Sequence, residues 1–222
     1  MALTIDAVSS SGGSGAGPFT HSHTCTSADL LVVGVSWFDN LDSVTGVTYN
    51  SVSMTAIPST LVTIGDYKAQ AYYLLTPSAG TNTISASAGG VLFDFGMGAI
   101  SFVGAHQTTP FGTVATATGT STTPSVTVSS ASGEIIFDVL TITHSGTLSI
   151  GAGQTSRWNA IGGAGFLKYA SSTEGGGASV TMSWSNSSSQ DWAMVGIPVK
   201  PAGASSFQAA WARGSNVLIG MN

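Results

Sequence analysis

Apolar and polar residues alternate with a period of two along most of the chain, and the spacing of an amphipathic helix is almost absent. Short runs rich in β-branched and aromatic residues are broken by Gly, Ser, Asn and Pro at intervals of about 8–12 residues, the punctuation of a sandwich or barrel. The pattern predicts strands at residues 30–38, 44–48, 53–57, 61–64 and 69–75. Further strands are predicted at 81–86, 96–103, 113–118, 125–128 and 134–142, and a last set at 155–161, 166–170, 179–184 and 192–199. A short first strand, 3–7, precedes the low-complexity run SSSGGSGAG at 9–17, which reads as flexible. Residues 1–17 are therefore expected to form an N-terminal arm, either an added edge strand or a segment that reaches a neighbour. The fold class is all-β.

An internal echo organises the body, residues 18–202. SADLLVVGVSWF at 27–38 resembles SASGEIIFDVLT at 130–141, and AYYLLTPSAGTNTISAS at 71–87 resembles GFLKYASSTEGGGASVTMSWS at 165–185. GMGAISFVGA at 96–105 likewise resembles AMVGIPVKPA at 193–202. The order is kept and the offsets stay near one hundred residues, which suggests two related halves, about 18–106 and 107–202. Such halves make either tandem sandwiches or two Greek keys closing into one jelly roll. The Thr-rich, strand-like link 108–124 favours the single jelly-roll-like sandwich.

The segment 203–222 departs from the body. Phe207 and Trp211 lie four apart, enough for one helical turn, and Val217, Leu218 and Ile219 form an apolar run followed by Met221. This C-terminal interaction tail is expected to pack on its own body or to form part of a subunit or capsid interface.

Composition narrows the function classes. Hydrophobic residues make up 42% of the 222, ample for a core, and a chain of this size buries roughly 70% of the surface it exposes when unfolded. Charged residues are only 7%, against about 25% in ordinary soluble domains. Net charge is −5, and the five basic residues, Lys68, Arg157, Lys168, Lys200 and Arg213, are scattered. That speaks against nucleic acid, which needs a clustered basic face, and against a basic amphipathic membrane helix. Cys25 is alone, so no internal disulfide is expected, and it reads as a small half-buried residue. MALTIDAVSS has neither the basic nor the apolar region of a secretory signal, and no uncharged apolar run reaches the roughly 18 residues that span a bilayer. A soluble chain made in a host cytoplasm is the expectation.

Candidate chemistry is sparse. His21, His23 and Cys25 would share one face of a strand and are weak zinc candidates, with His106 or His144 as a fourth ligand. Asp39, Asn40 and Asp42 form an acidic turn that could hold Ca²⁺, although Asx residues in turns commonly bond their own backbone. There is no G-x-S-x-G elbow. Asp94, Glu134 and Asp138 could supply a glycosidase-like carboxylate pair, but Asp94 in VLFDFGMG and Asp138 in EIIFDVL are explained by solvent-facing alternation. GAGQTS at 151–156 and GGAG at 162–165 open no helix and so cradle no dinucleotide. Trp184 and Trp192 flank SNSSSQD across an expected hairpin and are candidates for glycan stacking, with core filling as the plainer account. No catalytic residue, cofactor or firm metal site is assigned, and an enzyme is not expected.

The strand pattern, taken with HTCTSADLLVVGVSW, VTGVTYNSVSMTAI, AYYLLTPSAGTNTISAS, GAISFVGAHQTTPF and DWAMVGIPVKPA, resembles phage and prophage β-sandwich virion proteins over most of residues 20–202. AAWARGSNVLIG resembles the ends of short phage virion proteins. The resemblance implies a capsid decoration or cement protein on the virion surface, commonly a homotrimer seated on the major capsid protein. It brings no catalytic residues. A carbohydrate- or receptor-binding module of a fibre or spike is the alternative.

Overall fold

Strand formers in short runs build an all-β protein, and the computed structural model describes residues 1–203. The first half holds β1 (Thr4–Ala16), β2 (Phe19–Cys25), β3 (Leu30–Phe38), β4 (Val44–Tyr49) and β5 (Val52–Ser53). It continues with β6 (Thr55–Ala56), β7 (Val62–Ile64), β8 (Tyr67–Leu75), β9 (Gly80–Ala88) and β10 (Val91–Val103). The second half holds β11 (Ala115–Ser121), β12 (Ser125–Val128), β13 (Ile135–Thr143) and β14 (Leu148–Ile150). It closes with β15 (Thr155–Ile161), β16 (Leu167–Gly175), β17 (Val180–Asn186) and β18 (Gln190–Val199).

Each half forms a large and a small antiparallel sheet. In the first half the large sheet runs β1-β10-β3-β8-β6, with β7 also on β8, and the small one runs β2-β9-β4-β5. In the second half the orders are β11-β18-β13-β16-β15 and β12-β17-β14. The two orders correspond strand for strand through β1/β11, β10/β18, β3/β13 and β8/β16 in the large sheets, and through β2/β12, β9/β17 and β4/β14 in the small ones.

The sheets stack in four layers, small, large, large, small, with an apolar core in each of the three gaps. Leu31, Val33, Val35 and Trp37 of β3 face the first small sheet, meeting Val47, Tyr49 and Ile84. Leu30 and Val32 of the same strand face the second half, with Phe137, Val139, Trp158 and Tyr169 opposite. Ile136, Leu140 and Ile142 of β13 turn to the last gap, against Val126, Val128, Met182 and Trp184. A strand covered on both faces has no reason to alternate. This is why LLVVGVSWF and IIFDVLTIT are so uniformly apolar while the outer β2 and β9 alternate.

This arrangement differs from a single jelly roll. Paired strands belong to the same half throughout, either within 4–103 or within 115–199. The halves join by packing one large sheet on the other, and the link runs beside the end of β18, bridging at Ala105↔Pro201 and Phe111↔Val199 before it forms β11 on the same edge.

The N-terminal run is also reassigned. SSSGGSGAG is not a flexible spacer: it lies inside β1, which pairs with β10 from Thr4↔Val103 to Ala16↔Val91. Its small residues have a steric purpose. A Cβ on Gly163, in the turn between β15 and β16, would lie 2.4 Å from the Gly13 carbonyl carbon, so that turn and β1 approach backbone to backbone. The inter-half gap uses the same device. A Cβ on Gly98 would lie 2.2 Å from Trp158 Cε2, and one on Gly96 would lie 2.1 Å from Tyr169 Cδ1. Two aromatic rings of the second half thus rest directly on the backbone of β10.

Candidate functional site

At one end of the large sheets, four aromatic rings from both halves gather at the surface. Phe38, the last residue of β3, stacks on Tyr67 of β8 at 4.7 Å between centroids and lies 5.6 Å from Phe166 and 6.1 Å from Phe93. Phe93 is 56% exposed and Phe166 52%, and in the adjoining turn Leu41 is 89% exposed. Scattered exposed apolar side chains are ordinary, but a contiguous group of them marks an interaction surface.

Two buried carboxylates fix the backbone that presents these rings. Asp39 accepts from the N–H of Leu41 and of Asp42 on Oδ1, at 2.8 and 2.7 Å, and from the Phe93 N–H on Oδ2 at 3.3 Å. Burial alone would raise its pKa, but these three donors and nearby Lys68, which also donates to the Asp39 carbonyl, outweigh it and hold the carboxyl below its ordinary value. The acidic turn is therefore an Asx turn occupied by its own backbone, and its oxygens are not arranged around a cation. Asp94, fully buried, accepts from the N–H of Ala164, Phe166 and Leu167 at 2.9, 2.7 and 3.0 Å. One side chain of the first half thereby holds the turn of the second half that carries Phe166.

Asp94 and Asp138 are not solvent-facing. Both have no exposed surface, because β10 and β13 are covered on both faces. Nor do they form a carboxylate pair with Glu134. Asp94 clasps the 162–167 turn, Asp138 points into the core between the second large and small sheets, and Glu134 accepts from the Ala131 N–H within its own turn. Asp138 takes three donors: Ser172 N–H on Oδ1, and Ser172 Oγ–H at 2.8 Å and Trp184 Nε1–H at 2.9 Å on Oδ2. Burial still pushes its pKa up to about 7, against the pull of those donors.

Trp184 and Trp192 are corrected by the same core. They are 2% and 6% exposed, Trp184 bound to Asp138 and Trp192 donating through Nε1 to Ser121 Oγ at 2.9 Å. A face buried in the last gap cannot stack on a sugar.

His21, His23 and Cys25 do share the inward face of β2, but hydrogen bonds occupy both ring nitrogens of His23 and Nε2 of His21. Ser9 Oγ lies 2.9 Å from His21 Nε2 and 2.8 Å from His23 Nδ1; His23 Nε2 lies 3.1 Å from Ser101 Oγ, which donates to Asp6 Oδ2 at 3.0 Å. One assignment satisfies the whole chain: His21 Nε2–H to Ser9, Ser9 O–H to His23 Nδ1, His23 Nε2–H to Ser101, and Ser101 O–H to Asp6. Burial, then neighbouring His21, lowers the His23 pKa to about 4, so its ring is neutral, as that chain requires. Burial pushes the Cys25 thiol up. His106 accepts from the Thr109 N–H and His144 Nδ1 lies on the Gly165 carbonyl, so neither joins the trio. Among the described residues no group of three or more His, Cys, Asp or Glu could hold a metal ion. The tail candidates Phe207, Trp211, Val217, Leu218, Ile219 and Met221 lie outside the described residues.

Sequence reasoning missed the patch. Its residues stand in VLFDFGMG and directly after GGAG, but alternation puts Phe93 and Phe95 on one face, whereas in the structure Phe93 is exposed and Phe95 buried. Comparison with family models, with curated proteins and with solved structures finds no match to this chain.

Proposed function

We propose that this chain is a structural subunit of a larger assembly, a capsid decoration or cement protein of the phage type its sequence resembles. In this reading it self-associates, as the homotrimer the resemblance implies, and stabilises a phage head by binding the major capsid protein at the virion surface. The observation that carries the assembly reading is the patch of exposed Leu41, Phe93 and Phe166 around half-buried Phe38, held by Asp39 and Asp94. Apolar side chains on a fixed backbone give up little conformational freedom on binding, so the contact surface is ready before the partner arrives. The low charge of the chain adds to this, because few ions have to lose their water at an interface.

Light scattering of the purified protein tests the assembly reading. An oligomer is expected for the wild type and dissociation for Phe93→Ser/Phe166→Ser. Both rings are about half exposed and each loses its contact with Phe38, so each substitution should lower the unfolding free energy by only about 1 kcal/mol and leave the fold intact. A wild-type monomer at every concentration would overturn the proposal. Mass spectrometry of purified phage particles tests the virion component, expecting the chain in stoichiometric copies on the capsid; its absence from particles rejects that location.

A further inference from the structure

We infer that the aromatic patch is the seat for residues 204–222 of a second copy, so that copies join head to tail. The inference rests on the assembly reading and names the surfaces that make the contact. Its first support is where the described chain stops. Ala202 donates to the Gly104 carbonyl at 2.6 Å, and Pro201 bridges Ala105, which places Gly203 beside the end of β10. The patch lies at the start of the same strand, at Phe93. Eleven residues of strand separate Phe93 from Gly104, about 36 Å at 3.3 Å per residue. The end of the described chain and the acceptor patch therefore lie at opposite ends of β10.

The second support is the surface between those ends. A segment returning to its own patch would spend about 11 extended residues on the way, laying Phe207 and Trp211 along the body. The outward faces of β2 and β9 there are Thr20, Ser22, Thr24, Thr81 and Thr83, polar side chains that offer nothing to an indole. A neighbour whose patch abuts the exit end is met without that traverse.

The third support is chemical fit. Residues 204–222 carry Phe207, Trp211, Val217, Leu218, Ile219 and Met221, and their single charged side chain is Arg213. The patch is apolar at its centre, and its rim carries Asp42, partly exposed, and Asp66, exposed. Lys68, the cation nearest that rim, is already committed to the Asp39 carbonyl. An apolar segment with one cation thus meets an apolar patch with an acidic rim. Contacts of this polarity are heterologous, and they close into a ring when the rotation between copies allows it.

The test uses two full-length variants, Leu41→Cys and Val217→Cys, mixed and oxidised. Cys25 has no exposed surface and stays out of the exchange. A disulfide-linked heterodimer is expected on a non-reducing gel, with its yield falling about tenfold when Phe93→Ser and Phe166→Ser are added to the Leu41→Cys partner, as for loss of central aromatic anchors. An intramolecular crosslink in the Leu41→Cys/Val217→Cys double variant, in place of the heterodimer, overturns the inference. Oligomers by light scattering with no Leu41–Val217 crosslink also overturn it and leave the assembly reading standing. A monomer overturns both.

Discussion

Asp138 supplies the sharpest test of the energetics, because its carboxyl is fully buried in the last core gap and burial pushes its pKa up from 3.8 to about 7. A folded-state value above the unfolded one means that the native protein holds the proton more tightly. The stability it contributes is complete below the unfolded value, falls as pH rises from 3.8 towards 7, and is constant above. At about 1.4 kcal/mol per pH unit across that window, the fall comes to about 4 kcal/mol. His23 runs the other way. Its folded value of about 4 lies below the ordinary 6.5, so its contribution is present above 6.5 and is lost as pH falls through 4. The two slopes oppose each other over nearly the same window, and a wild-type profile alone would hide both. Asp138→Asn separates them, since the amide mimics the protonated acid in shape and does not titrate. Urea unfolding of both proteins from about pH 4 to about pH 8 should show the variant gaining on the wild type by about 4 kcal/mol as pH rises. A gap that stays constant, or that moves in favour of the wild type, would mean that the Trp184 and Ser172 donors keep the carboxylate charged at no net expense, and the desolvation argument would fail.

Gly98→Ala drives a methyl group into Trp158 and should lower the unfolding free energy by about 3 kcal/mol or more; Trp158→Ala in the same chain should recover part of that loss, and simple additivity of the two in urea melts would refute the packing assignment. Asp94→Ala removes the acceptor of three backbone N–H groups, that of Leu167 buried, and should lower stability by about 3 kcal/mol. Hydrogen exchange should then rise first at Ala164, Phe166 and Leu167, and unchanged protection there would show that Asp94 does not hold the turn.

Much of the fold is legible in the chain wherever a strand is covered on one face only. The outer β2 and β9 alternate as a half-buried strand must, and β3 and β13 stand out as mostly apolar runs without regular alternation. What misleads is the meaning of those runs. Alternation assigns Asp94 and Asp138 to solvent, yet on a strand with cores on both sides there is no solvent face to receive them. Composition misleads at β1, where SSSGGSGAG has the look of a linker and folds as a strand because β10 supplies its backbone partners and Gly163 needs its lack of side chains. Trp184 and Trp192 resemble a binding platform until their indole N–H groups find acceptors inside, in Asp138 and Ser121. The patch depends on Asp39 and Asp94 reaching backbone far away in sequence, Phe93 in one case and Phe166 in the other, and no local pattern announces such a reach.

The internal echo offers a way to recover some of this from the sequence itself. The echo of 27–38 in 130–141 sets Val33, Val35 and Trp37 of β3 against Ile136, Asp138 and Leu140 of β13. Two of the three pairs are apolar on both sides, and the third replaces Val35 by a carboxyl. Were the strand merely alternating, its neighbours two residues away would be polar as well; they are Ile136 and Leu140. A single acid in a register that the other half fills with valine must therefore be buried, and a buried acid needs donors. The second half supplies them where the first has none to spare: Ser172 on the adjacent β16 and Trp184 across the gap on β17. The first half shows what the fold requires at that position, which is an apolar side chain. The departure in the second half is then a property of this core alone, and it adds one polar contact to the packing that joins its two sheets.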